Sequence, residues 1–290
     1  MSASLFRVDL RLFLFSPPAT SPPRFVIKPM RIKNLFPQLF SFGDRTSALW
    51  AGHPYALART ALRQELAAAE GGGLPAISGK VLDVGCGSMP YRNLFVGASA
   101  YHGLEIDQPR NHLNPNVTHF YNGYLFPMEG SAYQLVICSQ VLEHSFNPEQ
   151  LLAEIFRVLQ PGGYLLLTIP FFWPEHEQPH DSQRFTSYGL SNRLEALGFE
   201  LVSLNKTNPG LATLLQLTIE WLESSIRRLL SNISFKKLRA ALFLLWHLLM
   251  SLPYALLNII GSLYRSLSPV KQHPERAELY LDLVVIARKP

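Results

Sequence analysis

The sequence predicts a doubly wound α/β fold with a second, apolar helical element, and three observations lead there. Short stretches that are apolar almost throughout recur along the first two thirds of the chain: "KVLDVGCG", "AYHGLEID", "AYQLVICSQ" and "GGYLLLTIPF". Helix-forming segments stand between and beside them, and apolar strands alternating with helices pair in parallel with both sheet faces covered. Residues 211–267 then break the pattern, being nearly all helix-forming and apolar.

Taken in order, "ALARTALRQELAAAE" (Ala56 to Glu70) predicts a helix stopped by the glycines Gly71 to Gly73. Strands follow at Lys80 to Gly87, Ala100 to Asp107 and Ala132 to Gln140. "EQLLAEIFRVLQ" (Glu149 to Gln160) is an amphipathic helix, and Gly162 to Phe171 a strand. "LSNRLEALGFELVSL" gives a helix closed at Gly198 and a strand from Phe199. A strand signal returns at "LYLDLVVIARKP" (Leu279 to Pro290). We therefore expect a basic leader over 1–33, a main domain over 45–208 plus 277–290, and an insertion over 209–276.

Bulk properties narrow the classes. Hydrophobic residues make up 48% of the 290 and charged residues 16%, an apolar balance that hints at a membrane-facing part. Only Cys86 and Cys138 occur, in no paired motif, which argues against a disulfide-stapled secreted domain and for a reducing, cytoplasmic setting. The net charge of +5 gathers near the N-terminus and over 227–239, and neither cluster has the interleaved aromatics of a nucleic-acid stripe. In the leader, "LRLFLFSPPATSPPR" has an apolar run too short for a signal core or a span. It reads as a disordered leader or as sequence upstream of a start at Met30, with a transit peptide ranked below both.

"VLDVGCGSMPY" places Gly85 and Gly87 at the carboxyl end of the first strand, where open α/β sheets bind nucleotide-like ligands. Pro90 stands where a dinucleotide fingerprint wants its third glycine, which disfavours a nicotinamide oxidoreductase. Asp83 within the strand, and Glu105 about twenty residues on, suit a ligand with an amino acid end and a ribose. Here the chain resembles the class I S-adenosylmethionine-dependent methyltransferases, Rossmann-like sheets of the type 11 kind. "VLDVGCG", "GLEID", "QVLEH" and "EIFRVLQPGGYLLLTIPF" fall in the family's order over roughly residues 78 to 205.

That resemblance implies a mainly parallel sheet whose last strand is antiparallel, and S-adenosyl-L-methionine as cofactor. It gives Asp83, Gly85 and Gly87 to the methionine moiety and Glu105 to the ribose. Asn122 falls where the family usually has an Asp facing the adenine amino group; its carbonyl could accept that bond, or it could be a turn residue. Gln140 and Val141 would line the site near the methyl group. An acceptor hydroxyl would need a base, and Glu143 and His144, in "QVLEHS", are one candidate cluster, with His144 set against a capping or loop-pinning histidine.

"HEQPH" (His176 to His180) has the spacing of a zinc protease, which requires a helix to bring both histidines to one face. Pro170, Pro174 and Pro179 make a helix untenable, so no metal is expected there. The longer stretch "PFFWPEHEQPHDSQRFTSYGL" resembles a loop in a subset of these methyltransferases that modify small molecules or glycans. His176, Glu177, His180, Asp181, Arg184 and Tyr188 are then acceptor contacts, with His176 or His180 a second candidate base. Asp181 and Arg184 read as an ion pair three residues apart that orders the loop.

"LRAALFLLWHLLMSLPYALLNIIGSLY" (Leu238 to Tyr264) is long enough to cross a bilayer. Strands on either side of the insertion that pair together would force it to leave and return on one side. Pro253 should also split it into halves of about twelve residues. A lid, a homodimer interface and an anchor peripheral to the membrane all remain open. The function expected is methyl transfer to a small-molecule or lipid- or glycan-linked acceptor; the alternative is an inactive cofactor-binding fold that recruits partners or membrane.

Overall fold

A computed structural model describes residues 52–69, 73–268 and 277–290, all within one unit, Ile32–Pro290. The leader over 1–33 and the start at Met30 lie outside the described residues. Helix α1 (Ala56–Ala69) is followed by β1 (Lys80–Val84), β2 (Ala100–Ile106), β3 (His119–Tyr121) and β4 (Tyr133–Ser139). Then come α2 (Pro148–Val158), β5 (Leu159–Pro170), α3 (Ser187–Ala196), β6 (Glu200–Lys206), α4 (Leu211–Ser231), α5 (Lys236–Leu267) and β7 (Asp282–Arg288).

The strands form one seven-stranded sheet in the order β3-β2-β1-β4-β5-β7-β6. Strands β1 to β5 pair in parallel, while β7 runs antiparallel to both β5 and β6. The fold class is therefore the expected one. Strand β3, three half-buried residues long, was not foreseen, because "HFY" is too short to show a period.

Alternation along the strands builds two cores. Leu82, Val84, Val136, Cys138, Leu165 and Leu167 face Leu152 and Ile155 of α2, and Val81, Leu135, Ile137 and Leu166 face Leu62 and Leu66 of α1. Both faces are covered, which is why these strands read as unbroken apolar runs. Helix α2 starts where the Asn147 side chain accepts from the Gln150 amide, with Pro148 in its first turn. Helix α3 is capped by Thr186 and closed at Gly198, whose φ of +93° suits a residue without Cβ. The sequence order reverses at β1, which has β2 on one side and β4 on the other, so a crevice opens at the carboxyl ends of those strands.

The insertion departs from expectation in one respect. Pro253 does not divide it: α5 runs unbroken for 32 residues. A proline removes one ladder bond, and here anchors on both sides of it share a partner. Trp246 Nε1 and Tyr254 Oη donate to the same Glu223 oxygen of α4, at 2.8 and 2.7 Å, and so hold the two halves in line.

Candidate active site

The turn after β1 is built around two left-handed glycines, Gly85 (φ +64°) and Gly87 (φ +47°). A Cβ on Gly85 would come within 2.4 Å of the Val141 side chain, so the close approach of the β4 loop demands glycine. Above Gly87 a Cβ would meet nothing within 4 Å, and that open space is where a ligand can sit against backbone. Glu105, at the end of β2, accepts from the Gly87 amide at 3.0 Å through one oxygen and from Asn111 at 3.4 Å through the other. Asn114 donates to the Gly87 carbonyl at 2.6 Å. The sequence reading missed Asn111 and Asn114, which lie in an irregular segment with no periodic signal.

Behind this shelf Asp83 is almost wholly buried and accepts a 2.7 Å bond from Tyr101 of β2. Burial pushes its carboxyl up to about 7 against the pull of the Tyr101 hydroxyl, with Glu105 adding to the rise. Asp83 thus ties β1 to β2 directly behind the turn.

Two other expected cofactor contacts are arranged differently. The Asn122 carbonyl oxygen accepts from the Tyr124 and Leu125 amides, both at 3.0 Å, as a turn residue does. It is therefore not free to accept from an adenine amino group, and only the side-chain NH2 is left to meet a ligand. Gln140, at φ +57°, points its amide nitrogen to Thr168 and Asp282, each at 3.3 Å. Its side chain braces β4 against β5 and β7, and of the β4 pair Val141 is the residue that closes over Gly85.

Beside that pair lies the candidate acceptor site. Glu143 is fully buried, and among the described residues no neighbour hydrogen-bonds either carboxylate oxygen. Burial pushes the carboxyl up to about 8, against its own backbone amide and Arg184. His144 and His176 meet edge to face with ring centroids 4.8 Å apart, and His144 Nε2 is 3.7 Å from Glu143. Burial, then the neighbouring His176, lowers the His144 pKa, which favours the neutral ring.

Asp181 fixes His176 from the far side, its carboxylate 3.0 Å from Nδ1. Burial alone would raise Asp181, but Arg184, bonded at 2.5 and 2.7 Å, and the His176 amide outweigh it and hold the carboxyl at about 2. The foreseen Asp181–Arg184 pair is present, and it orders the loop by fixing His176. "HEQPH" is irregular, as its prolines require. His180 sends its carbonyl toward His144 Nδ1 at 3.4 Å while its exposed ring rests by Phe146. The His180 ring is therefore not brought to the other two, and Tyr188 stands well out in solvent. One ligand atom each from Glu143, His144 and His176 lies within 4.8 Å of the others, a set that could hold a metal ion. Spacing could not reveal it, since Glu143 and His176 come from different loops.

A left-handed glycine shelf, an acid reaching across it and a titratable cluster beside it define an open α/β nucleotide-type site. Residues 50–204 match the methyltransferase-domain family, and the chain belongs to that family, the S-adenosylmethionine-dependent class whose motifs it carries. It is similar to a Mycolicibacterium smegmatis protein named "probable S-adenosylmethionine-dependent methyltransferase", at 32% identity over 81 residues, covering 26% of this chain and 32% of that one. It is also similar to an uncharacterized methyltransferase of Mycobacterium leprae, at 34% over 104 residues, 33% of this chain and 39% of that one. The chain thus spans about a third of the length of these curated relatives. Among solved structures, the cyclase SpnF aligns with a TM-score of 0.47 at 20% identity over 82% of each chain.

Proposed function

We propose that this chain transfers a methyl group from S-adenosyl-L-methionine to a small-molecule or lipid- or glycan-linked acceptor, in the cytoplasm and peripheral to the membrane. The observation that carries the reading is the preformed shelf: Glu105 already oriented across open space above Gly87, one loop away from Glu143, His144 and His176. Glu105 would accept the ribose hydroxyls, the glycine turn would admit the methionine moiety, and Asp83 would face its ammonium.

When bound, the cofactor supplies an activated methyl whose C–S bond breaks as the bond to the acceptor forms. The chain's part is to align, to exclude water and to take the acceptor's proton. Val141 shields the turn by closing over Gly85. Of the two adjacent rings, His176 has its Nδ1 held between the Pro174 carbonyl and the Asp181 carboxylate, which leaves Nε2 to act as base. His144, whose surroundings favour the neutral ring, is the second receptor for that proton.

The inactive-scaffold alternative predicts cofactor binding without turnover. Incubation with labelled cofactor and extracts of membrane lipids and polar metabolites should yield S-adenosylhomocysteine and a labelled product, both lost in His176→Ala with cofactor binding kept. Cofactor binding with no product from any fraction would favour the scaffold.

A further inference from the structure

The α4–α5 hairpin is turned inside out. Facing inward are Thr213, Gln216, Glu220 and Glu223 of α4 and Tyr254, Asn258 and Ser262 of α5, all buried. Tyr254 donates to Glu223 at 2.7 Å, and two of these side chains reach the segment before α1: Gln216 donates to the Pro54 carbonyl at 2.9 Å and Asn258 to the His53 carbonyl at 3.0 Å. Facing outward is leucine, with Leu244, Leu248, Leu252 and Leu256 between 58% and 78% exposed. Of the 22 large hydrophobics exposed among the described residues, 15 lie between Leu211 and Leu267. A water-facing hairpin would be arranged the other way round, with its apolar stripe inward.

Charge says what covers this face. Residues 224–267 contain no acid and carry Arg228, Lys236, Lys237 and Arg239 around the turn between the helices, all exposed, beside Arg227, which pairs with Glu220 at 2.8 Å. An open cleft of about 320 Å³ at the same end is lined by Arg227, Arg239, Leu230, Ser231 and Phe243, guanidinium groups over an apolar floor. A second copy would offer the same cations with no acid to meet them, whereas an anionic membrane offers phosphates above hydrocarbon. A single crossing is ruled out by the ends, because α4 departs from β6 and α5 leads back to β7 and those strands are paired neighbours; α4, with Glu220, Glu223, Arg227 and Arg228 along it, cannot serve as the returning span. At 1.5 Å per residue, 32 residues make about 48 Å, well over a ~30 Å hydrocarbon core but suited to lying along it.

We propose that α4–α5 is a rigid anchor embedded in one leaflet of an anionic bilayer, with the leucine face of α5 among the acyl chains and the cations of 227–239 among the headgroup phosphates. The anchor joins the acceptor loop directly: Arg227 donates to the Tyr55 hydroxyl at 3.0 Å, and the Tyr55 ring stands 6.1 Å from that of Trp173. The site therefore opens beside the lipid surface, and an acceptor with an apolar tail could reach it without leaving the bilayer. That last step rests on the methyltransferase reading; the anchoring does not.

The test is co-sedimentation of the full chain with vesicles of phosphatidylcholine alone and of phosphatidylcholine with phosphatidylglycerol, alongside calorimetric cofactor binding and the oligomeric state without lipid. Binding to the anionic vesicles is expected, weakened by salt. It should fall roughly a hundredfold in K236Q/K237Q/R239Q, at about fivefold per cation, and be lost in L244E/L248E/L252E while both variants still bind cofactor. Absence of vesicle binding by the wild-type chain overturns the proposal, and a lipid-free dimer dissolved by the leucine variant would assign the face to a second copy. If the leucine variant does not fold, the comparison of vesicle types and the cation variant still decide. Vesicle binding with no methyl transfer would sink the enzymatic reading and leave the anchor standing.

Discussion

Glu105 carries two loads, since the carboxylate that would hold a ribose also holds the Gly87 amide. Charge-assisted bonds contribute about 1.5–3 kcal/mol each, so Glu105→Ala should weaken cofactor binding at least about a hundredfold, with Glu105→Gln intermediate. Asp83 adds a linkage that calorimetry can see. Its carboxyl, pushed up to about 7, is partly protonated in the free protein, and a bound ammonium favours the carboxylate. Cofactor binding near pH 7 should therefore release protons, detected by titration in buffers of different ionisation enthalpy, and Asp83→Asn should abolish the release. Gly85, Gly87 and Glu105 were legible in sequence because a strand, a glycine turn and an acid at fixed spacing leave few other uses. Asn122 and Gln140 were not. A side-chain amide serves turns and ligands with the same atoms, and only coordinates show that the Asn122 oxygen is taken and that the Gln140 nitrogen turns inward.

The strands and helices of the sheet domain were legible because their runs are long and apolar and their caps lie where Asn147, Thr186 and Gly198 suggest. Helix α5 was misread at Pro253, since a rule about one residue ignored a partner 23 residues from Trp246 and 31 from Tyr254. Glu223 is that partner. It accepts from Trp246 and Tyr254 on either side of the proline, so Glu223→Ala would strand two donors. A loss of about 2–4 kcal/mol is expected in urea unfolding, with Glu223→Gln costing clearly less because it keeps an acceptor. Equal losses in the two variants would show that charge, not acceptance, holds the hairpin. Its inverted polarity could not be read from composition: leucine is plentiful on both α4 and α5, and which face it occupies emerges only once the inward polar bonds are seen.

Buried carboxyls give the whole molecule a distinctive pH response. Burial holds Asp282 up at about 6, Asp83 at about 7 and Glu143 at about 8. The folded protein keeps protons that the unfolded chain surrenders above about pH 4, so this stability is lost as pH rises through those values. His53, His102 and His144 act oppositely: burial lowers their pKa values, and stability falls as pH drops below about 6.5. Asp181, held at about 2, contributes throughout the neutral range. Thermal stability should therefore peak near pH 6 and decline by roughly 5 °C toward pH 8.5, with Glu143→Gln removing much of the decline. A flat profile would contradict the assigned burial of these groups. Whether the crevice above Gly87 takes a sulfonium cofactor is decided by calorimetric titration of the full chain with S-adenosylmethionine and, separately, with NAD. Micromolar binding of the first alone is expected, lost in Glu105→Ala; a folded protein that binds neither, or binds NAD instead, would rule the sulfonium site out.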